Sequence, residues 1–160
     1  MSSSLFDIPL YSMLGDSFSI KEHNPRAILV VNIASKCGFT PQLKELEALY
    51  QRYKKRGLLV IGFPSNDFNQ EPLEGSEVIE FCDRNFGVSF PIMLKAPVKG
   101  SRAQAFYKAM KKEYNGLWMP LPLWNFQKYL IDDKGRVVDY YLTPVSPLSK
   151  RIQNAIEKLL

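Results

Sequence analysis

Two cysteines, Cys37 and Cys82, and one histidine, His23, set the limits of the side-chain chemistry in this 160-residue chain. Two thiols and one imidazole are too few ligands, at unsuitable spacing, for a Cys/His zinc site, so no metal and no cofactor are expected. A Cys–His nucleophile pair would require His23 to reach one of the thiols. The cysteines stand 45 positions apart, which excludes a Cys-x-x-Cys redox pair but not a disulfide formed after a conformational change. Cys37 follows the apolar run Ala27–Ala34 and precedes a helix start, beside Lys36. Unpaired backbone N–H groups and the positive end of the helix dipole favour an anion at such a place. A reactive thiolate is therefore expected there in preference to an inert packed cysteine. Cys82 stands four residues after Val78 and three after Ile79 on an apolar stripe. That spacing suits a core thiol as well as a redox partner.

The elements that must hold these residues follow from periodicity. Residues 5–20 read as a short hairpin about Gly15-Asp16. Ala27–Ala34 and Leu58–Phe63 read as strands covered on both faces. Between them Leu43, Leu46, Leu49, Tyr50 and Tyr53 recur every three or four residues, with Thr40 expected as cap and Pro41 as first helical residue. This is a βαβ unit with parallel strands and a right-handed crossover. Helices are expected over Ser76–Asn85 and Ala103–Glu113 and a short strand over Pro91–Leu94. A hairpin of Trp124–Ile131 with Val137–Leu142 turns at Asp132-Asp133-Lys134-Gly135. A last helix, capped at Ser146-Pro147, is expected to turn Leu148, Ile152, Ile156 and Leu159 inward. The order specifies an α/β fold with a central mixed β-sheet flanked by helices on both faces. The thioredoxin-like fold is the smallest common architecture of that description.

In open α/β sheets the site lies beyond the carboxyl ends of the parallel strands. There the first strand delivers Ser35–Thr40 and the second delivers Pro64–Pro72. If Trp124 opens an antiparallel strand of the same sheet, Trp124 and Asn125 start at that edge as well. One thiol, several amides and one indole N–H are thus expected to converge.

Composition narrows the function classes. The length suits one domain over residues 1–160, and 46% hydrophobic with 23% charged residues is globular. Net charge is +5, with basic residues dispersed apart from Lys54-Lys55-Arg56 and Lys111-Lys112, so a nucleic-acid partner is not expected. No apolar run reaches the roughly 18–20 residues of a membrane span. The first residues, Met-Ser-Ser-Ser-Leu-Phe-Asp, lack a basic region followed by an apolar one, and a cytoplasmic location is the expectation. Asp132-Asp133 suits a turn better than catalysis. Asp67 and Glu71 form a second acidic pair with possible acid–base use.

Three segments together resemble a known family. Asn32-Ile33-Ala34-Ser35-Lys36-Cys37-Gly38-Phe39-Thr40-Pro41-Gln42 is similar to the strand–loop–helix motif of glutathione peroxidase-like enzymes. Gly62-Phe63-Pro64-Ser65-Asn66 with Gln70-Glu71-Pro72 resembles their second motif, and Trp124-Asn125-Phe126-Gln127-Lys128-Tyr129-Leu130 their third. Gly87-Val88-Ser89-Phe90-Pro91 is a weaker fourth match, and the likeness covers nearly the whole chain in order and spacing. The second motif is one residue shorter than usual, which puts the position of the Gln70 amide at stake. Ser65 stands where many members carry cysteine. The short connection from Asn115 to Leu123 lacks the insertion that resembles an oligomerisation element, so a monomer is expected.

The resemblance implies a thioredoxin-like fold and reduction of hydrogen peroxide and organic or lipid hydroperoxides. It assigns Cys37 as the peroxidatic residue, in a tetrad with Gln70, Trp124 and Asn125. Their amide and indole N–H groups are suited to donate to the thiolate or to the departing oxygen. In two-cysteine members of this likeness a cysteine at position 82 is the resolving thiol and thioredoxin the reductant. Glutathione is the other expected reductant, which Lys36 or Lys128 would attract. The apolar stretch Leu117–Leu123, with Trp118, is expected to rim the site for lipid-like peroxides. Two further readings remain: a peroxide sensor that relays its disulfide to a partner, and a non-catalytic thioredoxin-like binding module.

Overall fold

The computed structural model describes residues 4–160. Its sheet is built on strand β3 (Ala27–Ile33), in which all seven residues are buried. A strand covered on both faces needs no alternation of polar residues, which is why Ala-Ile-Leu-Val-Val-Asn-Ile reads as nearly continuous apolar sequence. On one side it pairs in parallel with β4 (Leu58–Pro64), in register Ala27 to Leu58. On the other it pairs antiparallel with β5 (Lys128–Asp132), which pairs with β6 (Val137–Tyr141). The order β4-β3-β5-β6 is the expected mixed sheet. A separate two-residue hairpin, β1 (Leu10–Tyr11) with β2 (Ser17–Phe18), lies near the amino end.

Successive side chains of β3 feed two cores, as the two-residue repeat of a strand requires. Leu29, Val31 and Ile33 pack with Leu43, Leu46 and Leu49 of helix α1 (Gln42–Tyr53) and with Ile152 and Ile156 of helix α4 (Lys150–Glu157). Val78 and Cys82 of helix α2 (Ser76–Phe86) belong to this cluster, as does Cys37. Ile28 and Val30 point the opposite way, toward Phe106, Tyr107 and Met110 of helix α3 (Ala105–Lys112). Helices therefore cover both faces. None of the helices among the described residues is long and apolar enough to cross a membrane.

Four local expectations are corrected by the structure. Thr40 does not cap α1. Its hydroxyl accepts from the Cys37 amide at 2.9 Å and donates to the Ala34 carbonyl at 2.9 Å, so it braces the thiol loop. Residues 91–94 do not form a full strand, because Pro91 has no N–H to give a ladder. Single bridges through Ile92 and Met93 attach the segment to Gly62 and Ser12. The cap of α4 is Ser149, whose hydroxyl accepts from the Ile152 amide. Ser146 instead hydrogen-bonds Glu45, and Leu148 stays partly exposed outside the helix. Finally, β5 opens at Lys128 and not at Trp124. Phe126 has φ +66°, which breaks an extended run.

Candidate active site

The carboxyl end of β3 leads through Ser35 and Lys36 into the Cys37 turn, and α1 starts five residues after Cys37. Cys37 is 8% exposed. Its Sγ accepts from the Phe39 amide at 3.4 Å, and its own amide is fixed by Thr40. The unpaired helix-entrance amides expected from the sequence are already taken, since the Thr40, Gln42, Leu43 and Lys44 amides donate to the Cys37, Phe39, Thr40 and Pro41 carbonyls; the donor that the thiol receives is the Phe39 amide. Both cysteines are free thiols in this structure.

Hydrogen bonds bring the other expected residues to the same edge. The Lys36 amide donates to the Gln70 carbonyl at 3.0 Å, which seats the loop after β4 against the Cys37 turn. Asn125 is fully buried, and its Nδ2 donates to Gln70 Oε1 at 2.8 Å. With its oxygen occupied, the Gln70 amide has its Nε2 donor free for a further acceptor. The shortened second motif therefore still delivers Gln70 to Asn125. Trp124 is 38% exposed, and its ring packs on Phe68 at 5.1 Å between centroids.

Asn32, quoted in the first motif but given no role by the sequence, explains how Trp124 and Asn125 reach this edge without being in a strand. Its Nδ2 donates to the Trp124 carbonyl at 3.1 Å, and its Oδ1 accepts from the Gln127 amide at 3.1 Å. Its carbonyl accepts from the Phe126 amide at 2.7 Å. One side chain of the central strand thereby replaces ladder bonds and holds the left-handed Phe126 turn. Residues in such sparsely populated backbone conformations persist only where their surroundings over-determine them. Thr143 adds a hydroxyl bond of 2.6 Å to the Asn125 carbonyl. In turn the buried Lys128 donates to the Thr143 and Val145 carbonyls at 2.9 and 2.7 Å, and burial pushes its ammonium down to about 7. Lys128 is 0% exposed, so it faces no solvent from which to attract glutathione.

The acidic pair separates. Asp67 accepts from the amides of Val98 and Lys99 at 2.6 and 3.1 Å. Glu71 is buried and accepts from the Ser35 hydroxyl, two residues before the thiol, while its Oε1 has no hydrogen-bond partner among the described residues. Burial raises the Glu71 carboxyl above the usual range, partly offset by the Ser35 hydrogen bond. Asp132 accepts from the Lys134 and Arg136 amides and is a turn residue, as expected. His23 precedes the amino end of β3 and bonds to the Ser19 carbonyl at 3.0 Å. Seven strand residues, about 20 Å at the usual rise, separate it from the Cys37 end, which removes the Cys–His pair.

Cys82 is 2% exposed on α2, and burial, with the Glu71 carboxylate as second cause, pushes its thiol up to about 12. At pH 8 its thiolate population is on the order of one in ten thousand. Iodoacetamide is therefore expected to label Cys82 negligibly in the folded, reduced protein at pH 8. Labelling should rise about tenfold per pH unit as far as the fold survives, since the thiolate is the reacting form. Peptide mapping that finds Cys82 labelled at pH 8 as fast as in urea-unfolded protein would overturn this.

Comparison with known proteins places the chain in a family. The family model described as glutathione peroxidase matches residues 5–111. A glutathione peroxidase-like peroxiredoxin of Chlamydomonas reinhardtii is 47% identical over 150 residues, 93% of this chain and 91% of that protein. Glutathione peroxidase-like peroxiredoxin 2 of Saccharomyces cerevisiae is 43% identical and covers 99% of this chain and 100% of its own. Among solved structures, the crystal structure of Trgpx in apo form superposes with TM-score 0.75 at 33% identity, over 99% of this chain and 96% of that one.

Proposed function

Because the chain belongs to the glutathione peroxidase family, with its thioredoxin-like fold, we propose that this thiol peroxidase works through Cys37 as attacking thiolate and Cys82 as resolving thiol. The Cys37 sulfur attacks the distal oxygen of a hydroperoxide, the O–O bond breaks, and the leaving alkoxide or hydroxide takes a proton to depart as alcohol or water. Gln70 Nε2, the Trp124 indole N–H and Asn125 supply donors toward the thiolate and the leaving oxygen. Asn125 acts on the donor set by occupying Gln70 Oε1. The Cys37 sulfenic acid then condenses with the Cys82 thiol, forming the S–S bond and releasing water. An external dithiol of the thioredoxin class reduces that disulfide by exchange.

The observation that carries this reading is the hydrogen-bonded link from the Cys37 turn through Gln70 to the buried Asn125. A dithiol reductant is favoured over glutathione by Cys82, since a disulfide is the substrate that a dithiol reduces. The name peroxiredoxin carried by the algal and yeast relatives points the same way. The reading includes a monomeric enzyme in the cytoplasm, where thiol reductants are supplied. Leu117, Trp118 and Leu123 are 107%, 64% and 60% exposed, and the reading takes this apolar stretch, directly before Trp124 in the chain, as the rim for organic hydroperoxides.

Intact mass after one equivalent of hydrogen peroxide tests the cycle. Wild type is expected to lose two hydrogens, and Cys82→Ser to gain one oxygen instead. An added oxygen in both proteins would remove Cys82 from the cycle and favour glutathione. No change in either would leave two structural thiols and a binding module.

A further inference from the structure

Lys95 lies on neither candidate thiol, yet it holds the segment that joins them. Its side chain is only 16% exposed, and its ammonium donates to the Glu71 carbonyl at 2.8 Å, the Leu73 carbonyl at 3.0 Å and Glu74 Oε1 at 2.7 Å. Those three acceptors match the three protons of an ammonium. On the Cys37 side the same segment is tied down again. The Lys36 amide binds the Gln70 carbonyl, the Glu71 amide binds Asn66 Oδ1 at 3.0 Å, and the Ser35 hydroxyl binds the Glu71 carboxylate. The Glu77 amide on the Glu74 carbonyl at 3.1 Å and the Glu74 amide on Glu77 Oε1 at 3.2 Å are hydrogen bonds that opening of α2 must break across Gly75. This residue has φ +56° and ψ −139°, a region that glycine occupies freely. Helix α2 then starts with no side-chain bond from its N-cap glycine, fully buries Val78 and Cys82 with Ile79, Phe81 and Phe86 half-buried against the same core, and ends at a left-handed glycine, Gly87.

We propose that Lys95 is a positioning residue, a clasp on residues 71–74 that makes Gly75 the hinge, so that α2 opens with Cys82 while Gln70 stays at Cys37. The proposal rests on the reading that Cys82 resolves the Cys37 sulfenic acid. Without a clasp, opening of α2 pulls on Pro72-Leu73-Glu74 and drags the Gln70 amide from the thiol. With it, the two steps of the cycle are mechanically separated although only 11 residues lie between Gln70 and Cys82. The clasp works through Gln70 and touches neither peroxide nor sulfur.

The test follows the full chain through one turnover with one equivalent of hydrogen peroxide, quenched and read by mass, and then maps amide exchange in the oxidised protein. In wild type, exchange is expected to rise in residues 76–86 and to stay low in 66–74. In Lys95→Met the boundary is expected to move back to about residue 66. Sulfenic acid formation should slow about tenfold, because in the closed enzyme too residues 71–74 are no longer held and Gln70 is less well fixed at Cys37, while conversion of sulfenic acid to disulfide is not slowed. Lys95→Arg, which keeps a cation with several donors, is expected to return the boundary to Gly75. If Lys95→Met does not fold, Lys95→Gln, with two donors on a shorter arm, is read at the same boundary. A boundary that stays at Gly75 in the variant overturns the clasp, as does slowing of both steps by the same factor. A wild-type protein that forms no Cys37–Cys82 disulfide removes the underlying reading and the clasp with it, and shows this before any variant is made.

Discussion

Cys37→Ser is expected to lose peroxide turnover by roughly a thousandfold or more, the usual scale for removing a nucleophile. A serine hydroxyl stays protonated at neutral pH unless a neighbouring base takes its proton. This site offers none in place: the sole histidine is at the far end of β3, and Glu71 is engaged by Ser35. The Phe39 amide can donate to an anion that has formed but does not remove a proton. The variant is expected to fold, because among the described residues Cys37 Sγ takes part in a single hydrogen bond, from Phe39, and the loop is braced through the Cys37 amide and Thr40. The measurement is peroxide consumption with excess dithiol, with circular dichroism to check the fold. Retention of more than about a tenth of wild-type turnover, a loss under 1.4 kcal/mol, would sink Cys37 as the attacking group.

The second large effect is expected for Cys82→Ser in thioredoxin-coupled turnover, a fall of roughly a hundredfold, or about 2.7 kcal/mol of barrier. Peroxide still converts Cys37 to a sulfenic acid, but no internal disulfide follows. The reductant must then reach the sulfur of Cys37, a residue only 8% exposed, instead of a disulfide carried outward by α2 as proposed. Substituting serine for this buried thiol also places a hydroxyl in an apolar pocket beside Val78, which costs about 1–3 kcal/mol of stability if it finds no partner. Turnover is therefore compared well below the midpoint of unfolding. Equal thioredoxin-dependent rates in variant and wild type would exclude Cys82 from the cycle. A glutathione-dependent rate that exceeds the thioredoxin rate in wild type would reassign the reductant.

Both effects depend on two thiols of opposite character, and the structure gives physical content to the difference. Cys37 Sγ receives the Phe39 amide at the entrance to α1, while Cys82 is packed in the core cluster of Val78 with a carboxylate nearby. In the proposed cycle the buried Cys82 is thus protected in the reduced enzyme until it is called on as resolving thiol.

The sequence by itself determined the sheet, because β3 and β4 are apolar on both faces and need a parallel crossover to be buried. It also determined where the Cys37 turn and the Gln70 loop emerge, since the carboxyl ends of parallel strands share an edge. The amphipathic stripes of α1, α3 and α4 were legible for the same reason: local spacing specifies a face. What spacing did not specify was how Trp124 and Asn125 arrive. The tertiary structure brings them there through Asn32, a strand residue whose side chain reaches across 92 positions to the Trp124 carbonyl and holds a left-handed Phe126. It likewise buries Lys128, which the sequence presents as one more charge, and spends Thr40 on the thiol loop and not on a helix cap. The Lys95 ammonium finds three acceptors 21 to 24 positions away. Periodicity reports which face a residue turns to the core, whereas a polar partner distant along the chain is decided only once the core has folded and left particular donors and acceptors facing each other.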